Sequence, residues 1–163
     1  MAKAIIICGS HRKEGSNSKA AAINIAKEMG LEIIEIFELS KMKIKLCTGC
    51  LKCEEGECPI VDDVRKIKEK LREAEIVVFA SPVYWNNTTP LMLNLVCRLT
   101  DILPNIKKKA IVVLVGELTG EEGKESRKLV KNWFKSVLSD VCGWDVEFYE
   151  FTARNPNEIK IRG

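Results

Sequence analysis

The chain is poor in histidine, aromatic residues and proline, and it has no long apolar run. Among 163 residues there is one histidine, His11, five prolines and an aromatic content of 6%. No segment approaches the roughly 18 apolar residues of a membrane span. The opening run MAKAIIICGS is too brief for a secretory leader, so a cytoplasmic protein with reduced thiols is expected, without disulfides and away from membranes. Charge of one sign is lacking too: 26 basic against 23 acidic residues leave a net +3. That balance excludes the concentrated basic face of a nucleic-acid binder, and the one basic run, Lys107 to Lys109, reads as a solvated turn. Repeats, low-complexity stretches and linkers are absent, so residues 1–163 are expected to form a single domain, a length at which about 70% of the unfolded surface can be buried.

What is present is alternation. Short apolar runs, KAIIIC, LEIIEIFEL, EIVVFASP, KAIVVLVG and WDVEFYEF, are separated by helix-length amphipathic segments. Gly30 closes the first helical segment, Asp62 and Asp63 open the second at its positive end, and Pro90 sits in the first turn of the third. The fourth carries Leu129, Trp133, Phe134, Val137 and Leu138 as its main apolar residues. Strand–helix alternation with continuously apolar strands predicts an α/β fold, a five-stranded parallel sheet of order 2-1-3-4-5 between two helix layers. Such sheets bind ligands beyond the carboxyl ends of their strands. The loops after the first, third and fourth strands therefore carry the functional expectation.

The first of these loops, CGSHRKEGSNSKA, brings Ser10, Arg12, Ser16, Asn17 and Ser18 to the start of a helix. Hydroxyl, amide and guanidinium donors at the positive end of a helix suit a phosphate; a serine-capped polar loop would have the same composition. G-x-x-x-x-G-K-[ST] and G-x-G-x-x-G are both missing, which excludes the nucleoside triphosphate and dinucleotide signatures. No aspartate ends the first strand, against a phospho-accepting regulator, and His11 reads as a loop residue. The loop after the third strand, SPVYWNNTTP, places Tyr84 and Trp85 beside Asn86, Asn87, Thr88 and Thr89, a combination suited to a flat heteroaromatic ligand.

GSHRKEGSNS and SPVYWNNTTPLMLNLVCRL resemble the two flavin-binding loops of the NAD(P)H-dependent FMN reductase family, within the flavodoxin-like fold. CTGCLKCEEGECPIVDDV, lying between them, is similar to the compact cysteine motif of that family's iron–sulfur flavoprotein branch. The resemblance runs from about Lys3 to Asp101. It implies that Ser10, Arg12, Ser16, Asn17 and Ser18 bind the phosphate of FMN, and that Pro82, Val83, Tyr84 and Trp85 lie along its isoalloxazine ring, with backbone N–H groups and Asn86 or Asn87 near the ring's polar edge. Gly116, ending the fourth strand, marks the third flavin loop on topology. It further implies an oxidoreductase that passes electrons from a reduced donor, NAD(P)H among the possibilities, to an acceptor or a carrier protein, with no side chain acting as general acid or base.

Four of the seven cysteines, Cys47, Cys50, Cys53 and Cys58, fall in twelve consecutive positions. Three readings stand side by side. They are a [4Fe–4S] cluster held by four thiolates, a structural zinc site, or thiols without metal in a cluster-free NAD(P)H-dependent FMN or quinone reductase. The zinc reading, taken without flavin, would make the chain a non-catalytic binding module. Cys8, Cys97 and Cys142 are expected to be small buried hydrophobes. After the fifth strand only TARNPNEIKIRG remains. An extended arm there would leave the sheet edge open to a partner subunit, and homodimers or homotetramers are what the resemblance implies.

Overall fold

The computed structural model describes all 163 residues. Its centre is a five-stranded sheet in the order β2-β1-β3-β4-β5, every pairing parallel. The strands are β1 (Lys3–Cys8), β2 (Glu32–Glu38), β3 (Ile76–Pro82), β4 (Lys109–Gly116) and β5 (Asp145–Thr152). The three central strands are apolar almost without interruption and buried almost throughout, as a sheet covered on both faces requires. In the edge strand β2 the glutamates at positions 32 and 35 face solvent, so isoleucine–glutamate mixing marks the edge.

Four helices cover the sheet: α1 (Asn17–Glu28), α2 (Val64–Glu73), α3 (Pro90–Arg98) and α4 (Gly120–Phe134). α4 runs on into wider π-type turns over Lys135–Val141. On one face Ala21, Ala22, Ile25 and Ala26 of α1 pack against Ile6, Val78 and Val113; the small alanines let the helix lie close to the strands. The other face is the larger core, where Phe79 meets Phe134 and Trp144 at ring separations of 5.9 and 6.4 Å. α4 buries Val130, Phe134 and Leu138 but leaves Leu129 44% exposed. Leu129, though one of the main apolar residues of this helix, thus lies at the surface. It lies about 100° around the helix from Val130, on the far side of the buried stripe.

The tail differs from the arm expected of it. Residues 154–162 turn back over the first loop and α1. Asn24 Nδ2 donates to Lys160 O at 2.8 Å and its Oδ1 accepts from Arg162 N at 2.8 Å. Asn157 N donates to Gly15 O, and a side chain at Gly15 would collide with Pro156 and Asn157. Asparagines 17 and 24, seven apart and so on one helical face, both offer an amide that completes tail backbone groups. Amides of α1 hold the tail in this course.

Asn24→Ala removes two hydrogen bonds to backbone from a buried site. We expect a loss of about 1–3 kcal/mol in urea unfolding. Amide exchange should quicken at Arg162 while the β1 and β3 amides stay protected.

Candidate functional site

The carboxyl edge of the sheet holds a cavity of about 630 Å³, inside the 300–1,000 Å³ range of cofactor sites. Its walls come from the loops after β1, β3 and β4, the start of α4 and the tail. Of the eleven residues expected to hold FMN, ten line it: Ser10, Arg12, Asn17, Ser18, Pro82, Val83, Tyr84, Trp85, Asn86 and Gly116. Ser16 does not. Its Oγ accepts from Lys19 N at 3.2 Å and caps α1, so it serves the helix whose first N–H groups, without intrahelical acceptors, border the cavity.

The first two loops are fixed to each other from beneath. Thr89 caps α3 by accepting from Met92 N, and its hydroxyl donates to Gly9 O at 2.6 Å. Gly9 N donates to Ala80 O at 2.8 Å. A side chain at Gly9 would come within 3.0 Å of Thr89 Oγ1, so glycine is what lets the loops touch. Ser81 and Thr88 share a buried hydroxyl bond at 2.8 Å.

Above this lock, Tyr84 and Asn87 exchange two backbone bonds of 2.9 Å. Trp85 and Asn86 between them have φ of 47° and 61°, the positive pair of a type I′ turn. Asparagine tolerates this region; tryptophan does so at a cost. The turn carries Trp85 to the rim, where it is fully exposed. Tyr84 stacks on His11 with centroids 5.6 Å apart, so the lone histidine does lie beside the site.

Two donors expected at the phosphate are engaged by the tail. Arg12 Nη2 donates to Arg154 O at 2.7 Å, and Asn17 Nδ2 to Asn155 O at 2.8 Å, while Asn17 Oδ1 accepts from Ile159 N. Ser10 and Ser18 have no such tie to the tail. The sequence reading missed Ala153 and Arg154 of the tail, and Ser126 and Arg127 of α4, which also line the cavity. Spacing after Gly116 gave the only available signal: Gly123 in the first turn of α4 marks a place where a side chain has no room.

The cysteine segment lies irregularly between β2 and α2 and is mounted on α3. Cys47 N donates to Asn94 Oδ1 at 2.9 Å and Cys58 N to Asp101 Oδ2 at 2.8 Å. Arg98, 1% exposed, forms a two-toothed pair with Asp62 at 2.6 and 3.1 Å. It also donates to Lys45 O, Ile60 O and Cys58 Sγ, the last at 3.3 Å. One guanidinium thus holds the residues on both sides of the motif.

The left-handed residues Leu51 and Gly49, at φ of 60° and 64°, coil the chain between the thiols. Burial pushes the Cys53 thiol up, and the neighbouring charges of Cys58, Asp101 and Cys50 add to it. The Lys52 N–H pulls the Cys50 thiol down against burial. All seven cysteines are free. No three His, Cys, Asp or Glu side chains are gathered for a metal ion. The donor chemistry fits an iron–sulfur cluster, but the sulfurs are not closed around a common centre. Cys8 and Cys142 are buried as expected, whereas Cys97 is exposed, on the outer side of α3.

A flavodoxin-like sheet with a cofactor-sized cavity over its β1, β3 and β4 loops is the architecture of a flavin-binding reductase. The chain belongs to the NADPH-dependent FMN reductase family, whose model matches residues 2–139. It is 36% identical over 140 residues to an iron–sulfur flavoprotein of Archaeoglobus fulgidus, covering 80% of this chain and 63% of that protein. It is 38% identical over 99 residues to one of Methanocaldococcus jannaschii, covering 59% and 51%. The chain therefore spans between half and two-thirds of the length of these two relatives. The NAD(P)H:quinone oxidoreductase of Methanothermobacter marburgensis shares the fold, with a TM-score of 0.71 at 18% identity over 96% of this chain and 89% of that one.

Burial pushes the Asp62 carboxyl up, but the bonds from Arg98 and from the Lys45 and Val64 N–H groups outweigh it and hold it below the ordinary carboxylate range. Its stabilisation is complete above the unfolded carboxyl's value and fades as pH falls through the lowered folded one. Arg98→Met leaves that carboxylate buried with the Lys45 and Val64 N–H bonds but no counter-charge. We expect it to cost about 3–5 kcal/mol and to weaken this part of the acid dependence in urea titrations at several pH values.

Proposed function

We propose that the protein is an FMN-dependent oxidoreductase, transferring electrons from a reduced donor to an acceptor, with an iron–sulfur cluster on Cys47, Cys50, Cys53 and Cys58. The observation that supports it most is the cavity itself, lined by ten of the eleven residues that the flavin-loop resemblance selects. When bound, FMN supplies the interchange between two-electron hydride chemistry and single-electron transfer.

The chain's own part is positional. The first turn of α1 with Ser10 and Ser18 offers neutral donors to a phosphate at the positive end of the helix. The Pro82–Asn86 segment offers an aromatic and backbone wall for the ring. The reciprocal bonds of the Tyr84–Asn87 turn occupy those residues' own amides, which leaves the Trp85 and Asn86 N–H groups for a ligand's polar edge. Ala80, Ser81 and Gly9 below are buried, which keeps water from the floor. No general acid or base is required of the protein.

The cluster-free reductase is the second reading, favoured by one observation: the four thiols are not gathered around a common centre. Assembly as a homodimer or homotetramer belongs to the first reading, with exposed Trp85, Leu46 and Leu51 as surface for a second copy to cover.

The test is anoxic purification, FMN and iron analysis, and an absorption spectrum before and after chemical reduction. We expect about one FMN per chain and a broad bleachable absorbance under the flavin bands. Cys53→Ser should lose the iron and keep the flavin. Flavin without iron in the parent protein establishes the second reading, and a chain that cannot be loaded with FMN overturns both.

A further inference from the structure

We propose that Arg127 is the cation that balances the negative charge of reduced FMN, so that the protein binds the reduced form more tightly than the oxidised one. The inference rests on the FMN reading of the cavity.

Arg127 lines the cavity and is only 9% exposed. Its Nη1 donates to Leu118 O at 3.1 Å, and its Nε is buried with no partner. It forms no ion pair. The contrast with Arg98 is direct: that guanidinium, also buried, meets a carboxylate, two carbonyls and a thiol. A buried charge without a counter-charge is strongly unfavourable. Glu117 and Glu122 share the cavity wall but are exposed, and Glu117 is drawn towards Arg154 at 3.6 Å. The protein supplies no anion to Arg127, and the cavity is where one can arrive.

Two glycines clear its position. A side chain at Gly116 would come 3.2 Å from Arg127 Nη1, and one at Gly123 would strike Leu118 O at 2.1 Å and lie 3.3 Å from the same nitrogen. The guanidinium therefore sits beneath the end of β4. The helix-end donors belong to the loop after β1, with β3 in between, about 10 Å away at two strand spacings. A phosphate met at β1 leaves Arg127 for charge elsewhere on the ligand.

The oxidised ring is neutral. Hydride transfer from a dihydronicotinamide breaks the donor's C4–H bond and forms the flavin N5–H bond. The electron pair moves with the hydrogen and leaves one negative charge over N1 and the C2 carbonyl: FMN + H⁻ gives FMNH⁻. A fixed guanidinium, always charged and carrying donors in a planar fork, meets that charge only after reduction. Binding energy expressed in one redox state appears as potential: each tenfold preference for the reduced form raises a two-electron potential by about 30 mV.

The experiment compares wild type, Arg127→Lys and Arg127→Gln loaded with FMN, with Arg127→Met in place of the glutamine variant if circular dichroism shows that one unfolded. Fluorescence quenching gives the dissociation constant for oxidised FMN. Anoxic titration against redox dyes gives the midpoint potential, and hydroquinone spectra across pH report protonation at N1. We expect the neutral variants to lose at least tenfold of the reduced-form preference, at least about 30 mV. Their affinity for oxidised FMN should change less than threefold, and N1 should protonate where wild type stays anionic. Lysine should restore most of the preference. Equal potentials in all variants, equal weakening of both redox forms, or a lysine variant that behaves as glutamine overturns the inference alone. A wild-type protein that binds no FMN overturns the function reading as well.

Discussion

The buried pair of Arg98 and Asp62 is the contact on which the unusual part of this molecule depends. The segment from Lys45 to Ile60 has no regular strand or helix of more than three residues, so it has few backbone bonds of its own to fix it. One guanidinium at the end of α3 supplies the missing framework by reaching the chain before the cysteines, the chain after them and one of their sulfurs. Such a pair need not add net stability over an apolar replacement. What it adds is a unique placement for a segment that sequence propensity leaves undetermined.

α3 in turn ties that segment to the cavity. It begins at the Thr89 lock under the β1 and β3 loops and ends at Arg98, nine residues and roughly 13 Å later. Asn94, Arg98 and Asp101 follow at intervals of four and three, so all three face the cysteine segment from one side of the helix and its continuation. An inserted residue within α3 would swing those anchors by about 100° and shift them by 1.5 Å, changing where the cysteine segment is held relative to the Thr89 lock. Helical phase, not loop length, sets the relation between the two motifs.

Much of this was legible in the sequence, for identifiable reasons. Ile5 to Ile7, Val77 to Phe79 and Ile111 to Val113 are unbroken apolar runs, and only a sheet covered on both faces accommodates them in so short a chain. The loops that line the cavity were legible because Ser10, Ser18, Tyr84 and Asn86 are residue types with evident uses at strand ends. Arg127 was not, since an arginine on a helix rich in lysine and glutamate reads as solvated surface, and only Gly116 and Gly123 hint that it turns inward. Cys97 misled in the opposite sense: its small apolar character suggested burial, but it does not lie on the buried face of α3. The tail escaped because asparagine amides on α1 fix it, and such pairings leave no periodic trace.

The return of the tail across α1 has a consequence for the order of events in the cell. Arg12 and Asn17 meet Arg154, Asn155 and Ile159 across 138 to 142 residues of chain. During synthesis the first loop and its helix are therefore exposed long before their outer wall exists. The cavity is complete only once residues beyond Ala153 have left the ribosome, so a ligand cannot meet all of its walls on a nascent chain that stops short of them.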